Sequence, residues 1–162
     1  MPLVPFDTLP DDARAWVFAA DRPLGDAEAA RLLAEVDRWL AQWRAHGEPL
    51  TVGRALTANR FLTIAVDQRT TGASGCSIDG LFRALKSLEP SIGASLVGAG
   101  LVHWRDAEGT IHSVDRGDFS SLATAGRIGS DTVVFDPSVT TLGEWRERFE
   151  TVAGRSWHAA LL

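Results

Sequence analysis

The chain has 162 residues, 45% of them hydrophobic and 23% charged, with a formal net charge of −5. This balance is typical of an ordinary globular domain, and the length suffices for a sizeable core without disulfides. An acidic chain is not attracted over long range to phosphate backbones or anionic lipids, and its arginines are not clustered. The composition therefore argues against nucleic-acid and membrane-surface roles.

Cysteine usage and the N-terminal sequence predict a cytoplasmic protein. Cys76 is the single cysteine, so no internal disulfide can form. Residues 1–5 carry neither the basic nor the apolar segment of a signal peptide. The longest apolar stretch, residues 92–104, is too short and too rich in glycine to span a bilayer.

The first two thirds of the chain alternate between strand and helix patterns. In chain order these are a strand at 15–20, a helix at 26–45 stopped by Gly47, strands at 50–58 and 61–66, a helix at 77–88 ended by Glu89-Pro90, and a strand at 101–105. This βαββαβ order is typical of the ferredoxin-like fold. We therefore predict an α+β protein with an extended lead-in at 1–13 and a ferredoxin-like core at 14–114.

A second strand at 110–114 follows, and Gly109 at a left-handed position indicates a hairpin. A two-residue loop would make His103 and His112 cross-strand neighbours able to bind a metal. The three-residue loop that Gly109 suggests places His112 opposite Trp104 and puts the histidines on opposite faces. The second arrangement is favoured, the spacing fits no zinc site, and no metal or cofactor is predicted.

Residues 115–162 predict a small αβα appendix. Its helix at 115–125 is stopped by Gly126, a strand follows at 132–135, and Thr141 and Glu144 form a capping box. No linker rich in Gly, Ser or Pro separates it, so residues 1–162 are predicted to form a single domain. The final residues could dock on their own core or on a neighbour. Ferredoxin-like sheets often pair through an open face, so a homodimer is compatible with this fold.

The predicted fold places a binding site at one sheet edge. Its first and third strands run parallel at the sheet centre, and both helices begin where those strands end, offering free N–H groups. Ligands favour that edge in open sheets. The binding residues expected there are Asp21, Asp67, Arg69, Ser74, Gly75, Ser77 and Asp79.

Cys76 carries the sharpest chemical hypothesis. A helix N-terminus stabilises a thiolate, although Asp79 in the same turn opposes this effect. The alternative is a buried, small hydrophobic residue that packs at the helix start. A thiol nucleophile needs a base, and the predicted topology leaves His158 free to reach Cys76. Cys76 and His158 are thus the candidate catalytic residues, and the neighbouring Trp157 could line a site or an interface.

The sequence lacks the motifs of several enzyme and nucleic-acid-binding classes. Lys86, the single lysine, lies within a helix pattern, so there is no Walker A motif, and no Gly-x-Ser-x-Gly sequence occurs. The strand at 61–66 lacks the aromatics of an RNA-binding sheet. The sequence favours a non-enzymatic module that binds an unknown protein or small molecule. The alternatives are a thiol-dependent enzyme or carrier using Cys76, and a small-molecule or anion binder at the helix N-termini.

Short motifs spread over nearly the whole chain carry a family resemblance. They are Pro5-Phe6-Asp7, Leu9-Pro10, Ala13-Arg14, Trp43, Ala45-His46-Gly47, Asn59-Arg60-Phe61, Ala73 to Asp79, Thr140-Thr141 and Ser156-Trp157-His158. The chain resembles an uncharacterised bacterial family whose members often carry the label "ABC transporter ATPase". Without a Walker A motif or the Leu-Ser-Gly-Gly-Gln signature, this resemblance implies no ATPase activity and supplies no mechanism.

A second, local resemblance lies in the appendix. It rests on Phe119, Leu122, Ala125-Gly126, Ile128, Asp131-Thr132 and Val134. This segment resembles the helix-turn-strand of small GYF-like adaptor modules, which implies an interaction role.

Overall fold

The computed structural model describes residues 3–69, 71–98 and 100–162. The helices are α1 (Asp26–Leu40), α2 (Gly75–Ile92), α3 (Arg116–Thr124) and α4 (Leu142–Arg148). The strands are β1 (Arg14–Ala19), β2 (Arg44–Ala45), β3 (Glu48–Pro49), β4 (Thr51–Thr57), β5 (Phe61–Asp67), β6 (Val102–Arg105), β7 (Ile111–Val114), β8 (Val133–Phe135) and β9 (Glu150–Val152). Helices together with antiparallel sheets confirm the predicted α+β class.

The first sheet has the order β1-β5-β4, and both strand pairs are antiparallel. Arg14 lies opposite Val66 and Ala19 opposite Phe61. The prediction that the first and third core strands run parallel is therefore wrong. The α1 crossover leaves β1 and β4 parallel to each other, and the tight turn at Asn59 inserts β5 between them. The ferredoxin-like arrangement is not confirmed.

The second sheet has the order β7-β6-β8-β9, again with antiparallel neighbours. The predicted hairpin supplies its first two strands, and residues from the predicted appendix supply the others. Trp104 lies opposite His112 and His103 opposite Ser113, which confirms the favoured register and places the two histidines on opposite faces. The Thr141–Glu144 capping box is also confirmed.

Both long helices end at residues other than the predicted ones. Helix α1 stops at Leu40, because Arg44–Ala45 pairs with Glu48–Pro49 across a tight turn. His46 and Gly47 both adopt positive φ in that turn, the geometry of a type I′ hairpin, so His46 does not end a helix. Helix α2 continues through Pro90 to Ile92, since a proline in the last turn removes only one helical N–H bond.

The molecule has four layers. Helices α1 and α2 cover one face of the first sheet, where the largest cluster of buried apolar residues lies. The second sheet covers the other face, with Phe61 stacked on Phe135 at 4.8 Å between ring centroids. On the far side of the second sheet, α3 and the C-terminal 3-10 helix at Trp157–Leu161 close a smaller core. The tail therefore docks on its own core.

The N-terminal segment packs closely against β4 at Gly53. A Cβ atom added there would lie 2.9 Å from Leu9 Cδ1 and 3.1 Å from both Phe6 Cα and Val4 O. We expect Gly53→Ala to lower the free energy of unfolding by about 1–3 kcal/mol, since overpacking displaces backbone. Urea denaturation measures this. The control Gly129→Ala, which meets no atom within 4 Å, is expected to change stability by less than about 0.5 kcal/mol.

Candidate functional site

The structure does not bring the residues of the predicted ligand-binding edge together. Because β1 and β5 are antiparallel, Asp21 follows one end of the sheet and Asp67 lies at the other. The Asp21 carboxylate accepts a hydrogen bond from Ser95 N at 3.0 Å. The Arg69 guanidinium pairs with Asp67 at 2.6 Å and holds the pKa of that carboxyl below its usual range. Both residues therefore serve local structure.

The predicted residues at the start of α2 form a helix cap. Ser74 Oγ accepts from Ser77 N, and the Ser77 hydroxyl accepts from Ser74 N at 2.7 Å. Gly75 and Asp79 are exposed. Cys76 is also exposed, so the alternative that it is a buried packing residue is wrong.

His158 lies in the C-terminal 3-10 helix and is completely buried. Its Nδ1 lies 2.7 Å from Ser156 Oγ, and its ring stacks on Trp157 and packs near Phe119. Burial lowers its pKa to about 4. No contact within the described part of the chain joins His158 to Cys76, so the structure does not bring the candidate catalytic pair together.

A cavity of about 360 Å³ lies where the free edge of β1 meets the second sheet. We call it the edge groove. One wall is β1 itself, and the others are the loop after α2 and the loop after β8. The residues that line it are Arg14 to Ala19, Phe82, Leu96 to Gly98, Gly100, Leu101, His103 and Pro137 to Thr140. Its volume is at the lower end of the range for ligand-binding pockets.

Backbone groups of β1 face this groove. Ala15 N donates to Thr140 O at 2.9 Å and Asp21 N donates to Ser95 O at 3.1 Å, both on the side away from β5. Because successive residues of a strand direct their N–H and C=O groups to alternate sides, Val17 and Ala19 face the same way. No residue in the described ranges hydrogen-bonds to these two N–H or two C=O groups. Within the described residues, the groove thus contains a short length of strand edge without hydrogen-bond partners.

Two carboxylates fix the flanking loops. Glu89 Oε2 accepts from Leu96 N at 2.6 Å and from Val97 N at 3.0 Å, which holds the first loop against α2. Glu144 Oε1 accepts from Thr140 N at 2.9 Å and from its hydroxyl at 2.8 Å, which holds the second loop against α4. These bonds satisfy loop backbone groups and hold both walls of the groove in place.

His103 supplies the groove's one imidazole. The guanidinium of Arg60 donates to Ser113 Oγ at 2.7 Å, and Ser113 Oγ lies 2.7 Å from His103 Nδ1. The Ser113 hydroxyl has two lone pairs and one proton, so it can accept from Arg60 and still form a hydrogen bond with His103 Nδ1 in either tautomer. Burial, and the charge of Arg60 after it, lower the pKa of His103 to about 4. At neutral pH this imidazole is therefore uncharged.

The groove's side chains are suited to binding. Its surface is mainly apolar, with Phe82 among the most exposed large hydrophobic residues of the chain. The Ser138 hydroxyl donates to Asp136, and the Thr140 hydroxyl donates to Glu144. Neither hydroxyl is hydrogen-bonded to a histidine in the described structure.

Sequence reasoning missed the edge groove. The feature that distinguishes the groove is the set of backbone N–H and C=O groups of β1, which any sequence can provide. Its walls also come from segments more than a hundred residues apart in the chain. Trp157, which the sequence analysis named as able to line a site, lines the cavity directly beside this groove, and Asp21 lines a separate, open cavity with Lys86 and Glu89.

Comparison with protein-family models, with curated proteins and with solved structures finds no match to this chain. Among the described residues, no helix is both long enough and apolar enough to cross a bilayer. Within the same residues, no group of three His, Cys, Asp or Glu side chains is placed to hold a metal ion.

The two buried histidines predict a pH dependence of stability. Each has a pKa of about 4 in the folded chain and about 6.5 when unfolded. The unfolded state therefore binds more protons, so stability is full above pH ~6.5 and is lost as the pH falls toward ~4. Between about pH 7 and pH 5 we expect a loss of about 1–2 kcal/mol per histidine.

Urea unfolding at both pH values measures this loss. His103→Asn is expected to remove about half of it. His46→Asn, at an exposed turn position that tolerates positive φ, is the matched control and is expected to leave it unchanged. An unaltered pH dependence in the His103 variant would contradict the assignment.

Cys76 gives a second prediction. Because its side chain is exposed, iodoacetamide is expected to add one group to the folded chain, visible by mass spectrometry, without unfolding it. Cys76→Ser is expected to change the free energy of unfolding by less than about 0.5 kcal/mol. Alkylation that occurs only in urea would show that the thiol is inaccessible.

Proposed function

We propose that this protein is a non-enzymatic binding module that takes an extended polypeptide segment into the edge groove by strand addition to β1. The observation that carries the proposal is the pair of outward-facing, unpaired residues Val17 and Ala19. An unpaired strand edge is a template for another strand, and main-chain bonds to it supply affinity.

The dimensions of the edge favour a short segment. The covered positions Ala15 and Asp21 are six residues apart, or about 20 Å along a strand. Between them, Val17 and Ala19 offer two donors and two acceptors in the alternating pattern that an antiparallel partner matches. A segment of about five residues fits between the two covered positions at about 3.3 Å per residue.

The groove's other groups favour binding over chemistry. His103 offers an uncharged imidazole, and Phe82, Leu96 and Val139 provide apolar surface. A mostly apolar wall with a few directed polar groups is typical of a recognition site. The local resemblance of residues 119–135 to an adaptor module supports the same class of function.

The other two hypotheses have weaker support. A thiol enzyme needs a base, and the described residues include no hydrogen-bond partner of Cys76. An anion site at the start of α2 would use Arg69, whose guanidinium is already paired with Asp67. Ser77 N is likewise occupied by Ser74.

Amide NMR on the whole chain tests the proposal. Titration with the peptide Val-Thr-Val-Thr-Val is expected to shift the amide signals of Val17 and Ala19. The same peptide N-methylated at alternate residues is expected to leave them unshifted, because methylation removes the donors that would reach the β1 carbonyls. Shifts confined to residues 75–77, or no shifts at β1, would overturn strand addition.

A variant pair removes the edge donor itself. Val17→Pro lacks the N–H that faces the groove, and proline is tolerated on the free side of an edge strand. We expect it to fold and to lose peptide binding by about ten-fold or more, as one backbone donor is lost and the ring blocks close approach. The control Val17→Ala keeps the N–H and is expected to bind within about two-fold of the parent. Equal binding by both variants would contradict the proposal.

A further inference from the structure

The edge groove continues into a second cavity. This cavity has a volume of about 550 Å³ and shares Gly100, Leu101, Pro137 and Ser138 with the edge groove. It adds Arg116, the first residue of α3, and Trp157 of the C-terminal 3-10 helix. A segment lying along β1 can therefore extend past Pro137 onto a shelf formed by these two side chains.

Both ends of this continuous surface carry an arginine stacked on a tryptophan. The Arg14 guanidinium lies 5.1 Å from the centroid of Trp16, and that of Arg116 lies 4.8 Å from the centroid of Trp157. Neither arginine forms an ion pair with another described residue. A guanidinium stacked on a ring keeps the N–H groups of its edge available for a carboxylate.

No aspartate or glutamate is among the described residues that line the two cavities. This is unusual for a chain with 21 acidic residues and a net charge of −5. The lining thus combines two cations with the imidazole of His103, whose pKa of about 4 keeps it uncharged near neutrality. The local charge is opposite in sign to that of the whole molecule.

Two acidic residues beside this surface, Asp136 and Asp115, are already engaged. Asp136, which is 1% exposed, pairs with Arg148 and accepts from Ser138 and Trp157. Asp115 caps α3 by accepting a hydrogen bond from Asp118 N at 2.7 Å. Neither carboxylate neutralises Arg116 through a direct ion pair.

We propose that the occupant of the groove is an acidic extended segment of another protein, with carboxylates that reach Arg14 at one end and Arg116 at the other. This inference rests on the proposed strand addition and names the chemistry of the segment. Main-chain bonds to Val17 and Ala19 would hold the segment, and the two arginines would select its charge. Complementary charge of this kind contributes specificity and speeds association.

Three fluorescein-labelled pentapeptides test the inference on the whole chain by fluorescence anisotropy. They alternate valine with glutamate, with threonine or with lysine. At low salt we expect the glutamate peptide to bind on the order of ten-fold more tightly than the lysine peptide, with the threonine peptide between them. The preference is expected to shrink as salt is added, because the arginines are solvent-accessible.

Charge reversal in the protein provides the matched comparison. Arg116→Glu is expected to weaken the glutamate peptide about ten-fold and to strengthen the lysine peptide. Arg127→Glu makes the same change in net charge at an exposed arginine outside both cavities. This control is expected to bind the glutamate peptide within about two-fold of the parent.

The outcomes separate the two proposals. Equal binding of the glutamate and lysine peptides, with both blocked by N-methylation, would overturn the charge preference and leave strand addition standing. Equal losses in the Arg116 and Arg127 variants would also overturn it, since net charge alone would then explain the effect. A glutamate peptide whose binding survives N-methylation, or no binding of any peptide, would overturn strand addition. Self-association through the groove, measured by sedimentation, would overturn the proposed occupant. The occupant would then be a second copy of this chain and not a segment of another protein.

Discussion

Phe61 and Arg60, adjacent at the start of β5, hold the two sheets together. Phe61 is fully buried and stacks on Phe135, while the Arg60 guanidinium crosses the junction to donate to Ile111 O and Ser113 Oγ. This cation is 5% exposed and no described carboxylate pairs with it directly. Carbonyl and hydroxyl oxygens accept hydrogen bonds from the Arg60 guanidinium in place of water. The distance between the sheets therefore depends on these hydrogen bonds. The edge groove exists because the sheets meet at this fixed distance.

Local patterns predicted the elements far better than their arrangement. The strands at the β4–β5 hairpin, the hairpin register that opposes Trp104 to His112, and the Thr141 cap all follow from chemistry within a few residues. The direction of β1 relative to β5 depends instead on packing between paired residues 42 to 52 positions apart in the chain, which alternation of apolar residues does not encode. Because the direction of β5 was predicted wrongly, Asp21 and Asp67 were expected at the same sheet edge. They lie at opposite ends of the sheet, so the predicted site does not form.

The roles of the histidines were equally hard to predict from local sequence, because they depend on the tertiary structure. His46 ends a helical pattern in the sequence, yet the adjacent Gly47 supplies a hairpin turn that outweighs it. His158 was expected to reach Cys76, but it is buried beneath α3 with Phe119. His103 had no assigned role, because its importance comes from the Arg60–Ser113 contact, which only the tertiary structure reveals.

The short interval between the covered positions of β1 has a consequence for solubility. An open sheet edge can recruit strand after strand, and natural proteins protect such edges by covering them. Here Thr140 covers the edge at Ala15 and Ser95 covers it at Asp21, so the exposed template is only two outward-facing residues long. Such a length is too short to nucleate a growing cross-β stack, which draws on segments of about six residues. Under the proposed function, the fold would leave a strand edge open to a bound segment while denying aggregation a continuous template.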